Sequence, residues 1–312
     1  MMWGLIYSAV FVSVFAVSAV LKIKADPFHG KYTVDWNDSV GTVYTDLPYG
    51  DGQANTFDLY LPADRTKEHY GLIVYLHAGG FTSGDKSGDE GILKWLCAKG
   101  YVTAGINYTL FSEENPTASV YSQTMDVKSA MPRVVAEAEK RGYPLDRMAI
   151  AGGSAGGTLA LVYAYRDADS APVPVKMVFE MVGPASFYYE DWTNYGLDKS
   201  PEAAAKLFGA MCGTTLTPEM ITSGEYLAYV KPISADRWVK EGAAPALLAY
   251  GTCDKVCPYL SVKPLLAALE KNGVPHDYFE FPHSGHGLQN DNKLYAQYMD
   301  TLEEYLAAYM NA

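Results

Sequence analysis

Three residues far apart in the chain could together activate a hydroxyl and relay its proton: Ser154, Asp254 and His286. Ser154 lies in GGSAGG (152–157), after the apolar run Met148–Ala151 and before an apolar stretch of helical character. G-x-S-x-G between a strand and a helix sets the serine on a sharp turn, with glycines where side chains would collide with neighbouring backbone. The helix start behind Ser154 favours a developing negative charge. Asp254 follows the apolar run Leu247–Tyr250, and His286 stands between two glycines after Tyr278–Phe281. The order Ser, Asp, His is the one that accompanies this turn. In that chemistry His286 takes the proton of Ser154, Asp254 fixes the imidazole tautomer, and His286 later protonates a leaving alcohol.

Acyl transfer also needs two donors aimed at the oxygen that becomes negative. The Ala155 amide, just after the nucleophile, is one. The other is Gly79 or Gly80 in HAGGF (77–81), directly after the run Leu72–Leu76. His77 precedes the serine and reads as a residue that shapes this loop rather than as the base. His283 is a rival to His286, but it lacks the flanking glycines expected to let the loop turn inward.

The elements that must position these residues follow from hydrophobic patterning. Val40–Thr45 and the alternating Thr56–Leu61 read as antiparallel strands. Leu72–Leu76, Val102–Asn107, Met148–Ala151, Met177–Met181, Leu247–Tyr250 and Tyr278–Phe281 are short apolar runs. Helical stretches Gly88–Lys99, Gln123–Arg141, Gly156–Asp167, Tyr259–Asn272 and Asn292–Met310 separate them. Continuous apolar strands alternating with helices predict an α/β fold, a mainly parallel sheet covered on both faces. Residues 184–232, rich in Tyr, Trp and Pro, break the rhythm and are expected to form a lid over the sheet's C-terminal edge. Open α/β sheets bind ligands at that edge.

Composition narrows the partners. The 312 residues carry 24 Lys and Arg against 36 Asp and Glu, a net charge of −12, which disfavours a nucleic-acid binder. Four cysteines are too few for a disulfide scaffold. Cys253 and Cys257 flank Asp254 and could be a disulfide or two free thiols. No metal-ligand spacing, phosphate loop or dinucleotide fingerprint appears in context, so no cofactor and no metal are expected. Residues 3–21 are an uncharged apolar run followed by Lys22 and Lys24. It is long enough to span a bilayer, so residues 1–24 read as a signal peptide or membrane anchor and 25–312 as one domain. Export or anchoring outside the cytoplasm is the expectation, with oligomeric state left open.

Further motifs join the serine, aspartate and histidine loops: FDLYLP (57–62), HAGGFTSGDKS (77–87), KGYVTAGINYTL (99–110), DVKSAM (126–131), YGTCDKVCP (250–258) and HSGHG (283–287). With these, the chain resembles the α/β-hydrolase superfamily from about residue 55 onward, and within it the hormone-sensitive-lipase-like and acetyl-xylan and feruloyl esterase branch. The resemblance implies an esterase acting on short acyl or carbohydrate-linked esters, with a formamidase or a non-catalytic binding protein as alternatives. It departs from the branch's usual HGGG at Ala78, which leaves Gly79 and Gly80 in place. Asp85, Lys86 and Asp126 match positions that look architectural. Phe81, Phe187, Tyr188 and Trp192 are the expected pocket residues, since aromatic faces suit sugar or phenolic rings.

Overall fold

The computed structural model describes residues 31–311, so the apolar N-terminal run lies outside the described residues. Among those described, no helix is long and apolar enough to cross a membrane. Eight strands form one sheet: β1 (Gly41–Pro48), β2 (Thr56–Pro62), β3 (Tyr70–Leu76), β4 (Val102–Ile106), β5 (Leu145–Gly153), β6 (Val175–Met181), β7 (Ala246–Gly251) and β8 (His276–Phe281). Their spatial order is β1-β2-β4-β3-β5-β6-β7-β8. The β1–β2 and β2–β4 pairs are antiparallel and all later pairs are parallel. Each strand expected from the sequence is present, most of them a residue or two longer. β4 and β7 are buried along their whole length, as strands covered on both faces must be, whereas the edge strand β1 is mostly open.

Side chains alternate between two cores because the strand period is two. Leu72, Val74, Met148 and Ile150 face one core with Val127, Met131 and Val134 of α2 (Val120–Lys140) and Leu159 and Leu161 of α3 (Ala155–Val162). Ile73, Ala149 and Ala151 face the other. That core is closed by Trp95 and Leu96 of α1 (Glu90–Ala98) and by Tyr295, Tyr298, Met299 and Leu302 of α8 (Asn292–Tyr305). The start of α2 is fixed by a capping box between Ser119 and Ser122.

Parallel register sets the functional edge. Leu76 pairs with Gly152, Gly153 with Met181, Met181 with Ala249 and Gly251 with Phe281. These strand ends are level, so the loops beginning at His77, Ser154, Val182, Thr252 and Pro282 all emerge on one side.

The segment between β6 and β7 holds three helices that the sequence reading leaves unassigned: α4 (Pro201–Cys212), α5 (Pro218–Ser223) and α6 (Tyr226–Val230). Ser200 and Thr217 cap the first two, each followed by proline at the first helical position. A further helix, α7 (Val262–Lys271), leads from β7 to β8.

Candidate active site

Ser154 sits between β5 and α3 with φ 53° and ψ −121°, a conformation costly for a side-chain-bearing residue. Its amide donates to Met181 O at 2.8 Å, tying the turn to β6. The turn requires glycine at 156: a Cβ there would lie 1.9 Å from Leu76 O and 2.7 Å from His77 O. Close contact between the start of α3 and the end of β3 therefore sets the serine beside the HAGGF loop.

The other two residues reach it from the far half of the sheet. His286 Nε2 lies 2.9 Å from Ser154 Oγ, and His286 Nδ1 lies 2.8 Å from Asp254 Oδ2. A carboxylate only accepts, so Nδ1 donates to Asp254 and Nε2 is left to accept from the serine hydroxyl. Asp254 Oδ1 accepts from the amides of Val256 at 2.7 Å and Cys257 at 2.9 Å, which locks the carboxylate plane. The Asp254 side chain is 1% exposed and that of His286 27%, so the pair is closed at one end and open to a substrate at the other.

The glycines beside His286 do not act as the sequence suggests. Neither Gly285 nor Gly287 has a positive φ. The glycine the loop needs is Gly251, where a Cβ would lie 2.5 Å from Ser284 O and from Gly285 O. The histidine loop is thus seated on the end of β7, the strand that delivers Asp254. His283 faces outward and bonds Asp291 at 2.8 Å, while Ser284 Oγ donates to the same carboxylate at 2.6 Å. That pair fixes the root of the loop.

Gly79 (φ 135°), Gly80 (φ 60°) and Phe81 (φ 68°) turn the loop after β3. Among the described residues no backbone oxygen accepts from the Gly79 or Gly80 amide. Ala155, the first residue of α3, has no intrahelical acceptor either. Among the described residues these amides have no backbone acceptor, and Ala155 directly follows Ser154. The loop is held from behind. Gln123 Nε2 donates to Phe81 O at 2.8 Å, and Asn107 bridges Asp85 and the Lys86 amide, each at 2.7 Å. His77 stacks on Tyr108 at 4.2 Å, donates from Nδ1 to Ala78 O at 2.7 Å, and is held below the usual histidine pKa by burial. It shapes the loop. Asp126 accepts from the Thr109 amide at 2.8 Å, an architectural contact.

A cavity of about 410 Å³ contains Ser154 and His286 and is walled by Tyr75, Asp89, Met181 and α8 residues. A second, of about 210 Å³, is lined by Gly80, Phe81, Phe111 and Met211. Of the four aromatic residues expected in a pocket, only Phe81 lines either cavity. Phe187 and Trp192 are each 1% exposed. Their rings are 5.4 Å apart, Trp192 lies 5.2 Å from Phe208, and Trp192 Nε1 donates to Ser186 O. They are the core of the β6–β7 segment, because helices as short as α4–α6 need an apolar anchor. Tyr188 bonds Asp236 at 2.8 Å and Arg237 at 3.1 Å instead. Tyr195 does approach the site: its hydroxyl donates to Val256 O at 2.7 Å, linking the segment to the Asp254 loop.

Two acids, one buried and one half-buried, escape the sequence reading. Glu180, at the end of β6, accepts from the Gly183 amide at 2.9 Å, and burial pushes its pKa up to about 8 against the pull of that bond. Asp89 stands at the cavity wall. Nothing in their sequence context separates them from ordinary surface carboxylates. Cys253 and Cys257 are free thiols, one exposed and one buried. Among the described residues no group of three or more His, Cys, Asp or Glu could hold a metal ion.

The chain is similar to known proteins in sequence and in fold. The chain is 25% identical over 250 residues to esterase LipC of Mycobacterium tuberculosis, covering 77% of this chain and 58% of LipC. It is 24% identical over 221 residues to dipeptidyl aminopeptidase BIII of Pseudoxanthomonas mexicana, covering 70% of this chain and 30% of that enzyme. The chain therefore spans well under two thirds of either relative. In fold it matches esterase B of Lactobacillus rhamnosis with a TM-score of 0.66 at 21% identity, over 96% of this chain and 95% of the other. The BD-FAE family model matches residues 57–269, a stretch that runs from β2 through the serine turn and the Asp254 loop into α7. On that match, over most of the chain, the chain belongs to the BD-FAE family.

Proposed function

We propose that the chain is a serine hydrolase that cleaves carboxylic esters through an acyl-enzyme on Ser154. The observation that carries the reading is the unbroken hydrogen-bond path from Ser154 Oγ through His286 to Asp254, at 2.9 and 2.8 Å. The ester binds with its carbonyl oxygen at the amides of Ala155 and of Gly79 or Gly80. His286 Nε2 takes the serine proton as Oγ bonds to the carbonyl carbon, and the charge collects on the oxygen between those amides. Asp254 steadies the imidazolium. His286 then gives the proton to the leaving alcohol as the C–O bond breaks. Water repeats the sequence, releasing the acid and restoring Ser154.

Short acyl esters and carbohydrate-linked acetyl or feruloyl esters are the proposed substrates, supported by the branch resemblance and by a cavity of about 410 Å³. The apolar run at 3–21 supports export or membrane anchoring of this domain. The test is hydrolysis of 4-nitrophenyl acetate, 4-nitrophenyl octanoate and methyl ferulate by the full chain, with fluorophosphonate labelling. Ser154→Ala is expected to abolish labelling and lower kcat/KM by about 10⁴-fold or more. Equal labelling of the variant would refute the reading, and activity confined to octanoate would replace the substrate class. The match to a dipeptidyl aminopeptidase supports a second reading, amide cleavage. A 4-nitroanilide or formyl amide turned over faster than the matching ester would favour it.

A further inference from the structure

The cavity holding Ser154 and His286 is apolar over most of its wall, with Ile92, Phe179, Met299 and Leu302 among its residues, yet it carries one carboxyl group, Asp89. Asp89 ends the short helical turn Lys86–Asp89 that runs straight into α1, so its backbone (φ −103°, ψ 10°) is not the extended one from which an aspartate accepts a bond from a first-turn amide. Its side chain makes no such bond. Oδ2 is buried without a hydrogen-bond partner. Leaving a buried acceptor unpaired costs free energy that a helix cap would normally recover. Burial, with the charge of Asp85 adding to it, pushes this carboxyl up to about 7. An apolar pocket with one unpaired polar group at its wall fixes the orientation of a ligand that brings the missing donor.

The half of the substrate concerned follows from the proton path. His286 must hand its proton to the leaving oxygen, so the alcohol lies over His286. His286, Gly287 and Leu288 form part of the same wall as Asp89. Resting on the ester-hydrolase reading above, we infer that Asp89 is a specificity-determining residue that accepts a hydrogen bond from a second hydroxyl on the alcohol moiety of the ester. The chemical class is an ester whose alcohol combines an apolar, cavity-filling body with a free hydroxyl, as a hydroxylated ring does. Asp89 moves no proton in the reaction. Its contribution is the rejection of alcohols that leave it unpaired, and sites built around a substrate hydroxyl discriminate strongly in this way.

The test compares 3- and 4-hydroxyphenyl acetate with the corresponding methoxyphenyl acetates, on the full chain and on Asp89→Ala and Asp89→Asn. Wild type is expected to prefer one hydroxy ester over its methoxy partner by about tenfold or more in kcat/KM. Asp89→Ala should erase that preference, lowering kcat/KM for the hydroxy ester by more than for its methoxy partner, and Asp89→Asn, which keeps an acceptor oxygen, should retain part of it. A preference unchanged in Asp89→Ala, or both esters slowed alike, overturns the assignment. So does an Asp89-dependent preference in phenyl 3-hydroxybenzoate against its methoxy analogue, which would move the carboxyl to the acyl side. Fluorophosphonate labelling separates the two levels. Labelling of Ser154 with no role for Asp89 sinks this inference alone, whereas a wild-type chain that neither labels nor hydrolyses any ester sinks the hydrolase reading and this inference with it.

Discussion

Glu180 offers a quantitative test of how the site is supported. Its carboxyl is 1% exposed at the end of β6, packed against the glycine-rich start of α3 and bonded to the Gly183 amide at 2.9 Å. Burial raises its pKa from 4.5 to about 8. For an acid whose pKa is higher in the fold, the folded state keeps its proton to higher pH than the unfolded chain does. The stabilising contribution is therefore complete below about 4.5 and is lost as pH rises through about 8. At about 1.36 kcal/mol for each pH unit across that interval, the loss is at most about 5 kcal/mol, and water reaching the ionised group reduces it. Glu180→Gln removes the titration while keeping an oxygen for the Gly183 amide. Urea unfolding followed by circular dichroism at pH 5 to 9 reads the effect. Wild type should lose stability across this range more steeply than Glu180→Gln, whatever the variant's absolute level. Asp89, also raised, tilts both proteins equally, so the difference between them isolates Glu180. Parallel stability curves would refute the reasoning.

Two further outcomes follow from packing and charge. Trp192→Ala should cost about 3–5 kcal/mol through loss of the ring that anchors the β6–β7 segment. It should leave the ratio of 4-nitrophenyl acetate to methyl ferulate hydrolysis unchanged below the melting transition, and a shifted ratio at unchanged thermal midpoint would place the ring against substrate instead. Lys86 is buried and bonds Asp46 at 2.7 Å and Asp58 at 3.3 Å. Lys86→Met should cost about 3–5 kcal/mol because it strands the buried Asp58 carboxylate. Adding Asp58→Asn should recover much of the midpoint, and a double variant no more stable than the single would contradict this account.

Much of the fold is legible in the sequence because its strands are short, apolar and punctuated. Strands such as Leu72–Leu76 and Leu247–Tyr250 need only local apolar runs to be seen, and β3 and β7 follow from them. The β6–β7 segment is less legible. Helices as short as Pro218–Ser223 show little periodicity, and their stability comes from the shared Phe187, Trp192, Phe208 and Tyr226 cluster rather than from local propensity. The same cause explains why Phe187 and Trp192 read as pocket residues. A run of aromatic residues looks the same in sequence whether it faces a ligand or its own core.

By itself the sequence determined the residue types and chain order of Ser154, Asp254 and His286, and the glycines of the turns that hold them, because a sharp turn or a close backbone approach leaves a compositional mark. The sheet's level strand ends, which bring residues separated by 132 positions within 2.9 Å, are a property of register. Only tertiary structure decided that Gly251 rather than Gly285 or Gly287 seats the histidine loop, that Phe81 lines a cavity while Trp192 is buried, that Glu180 is an acid held out of water and that Asp89 leaves a carboxyl oxygen unpaired at a cavity wall. Burial and unpaired hydrogen-bonding groups arise where distant segments meet, and no local window of residues records that meeting.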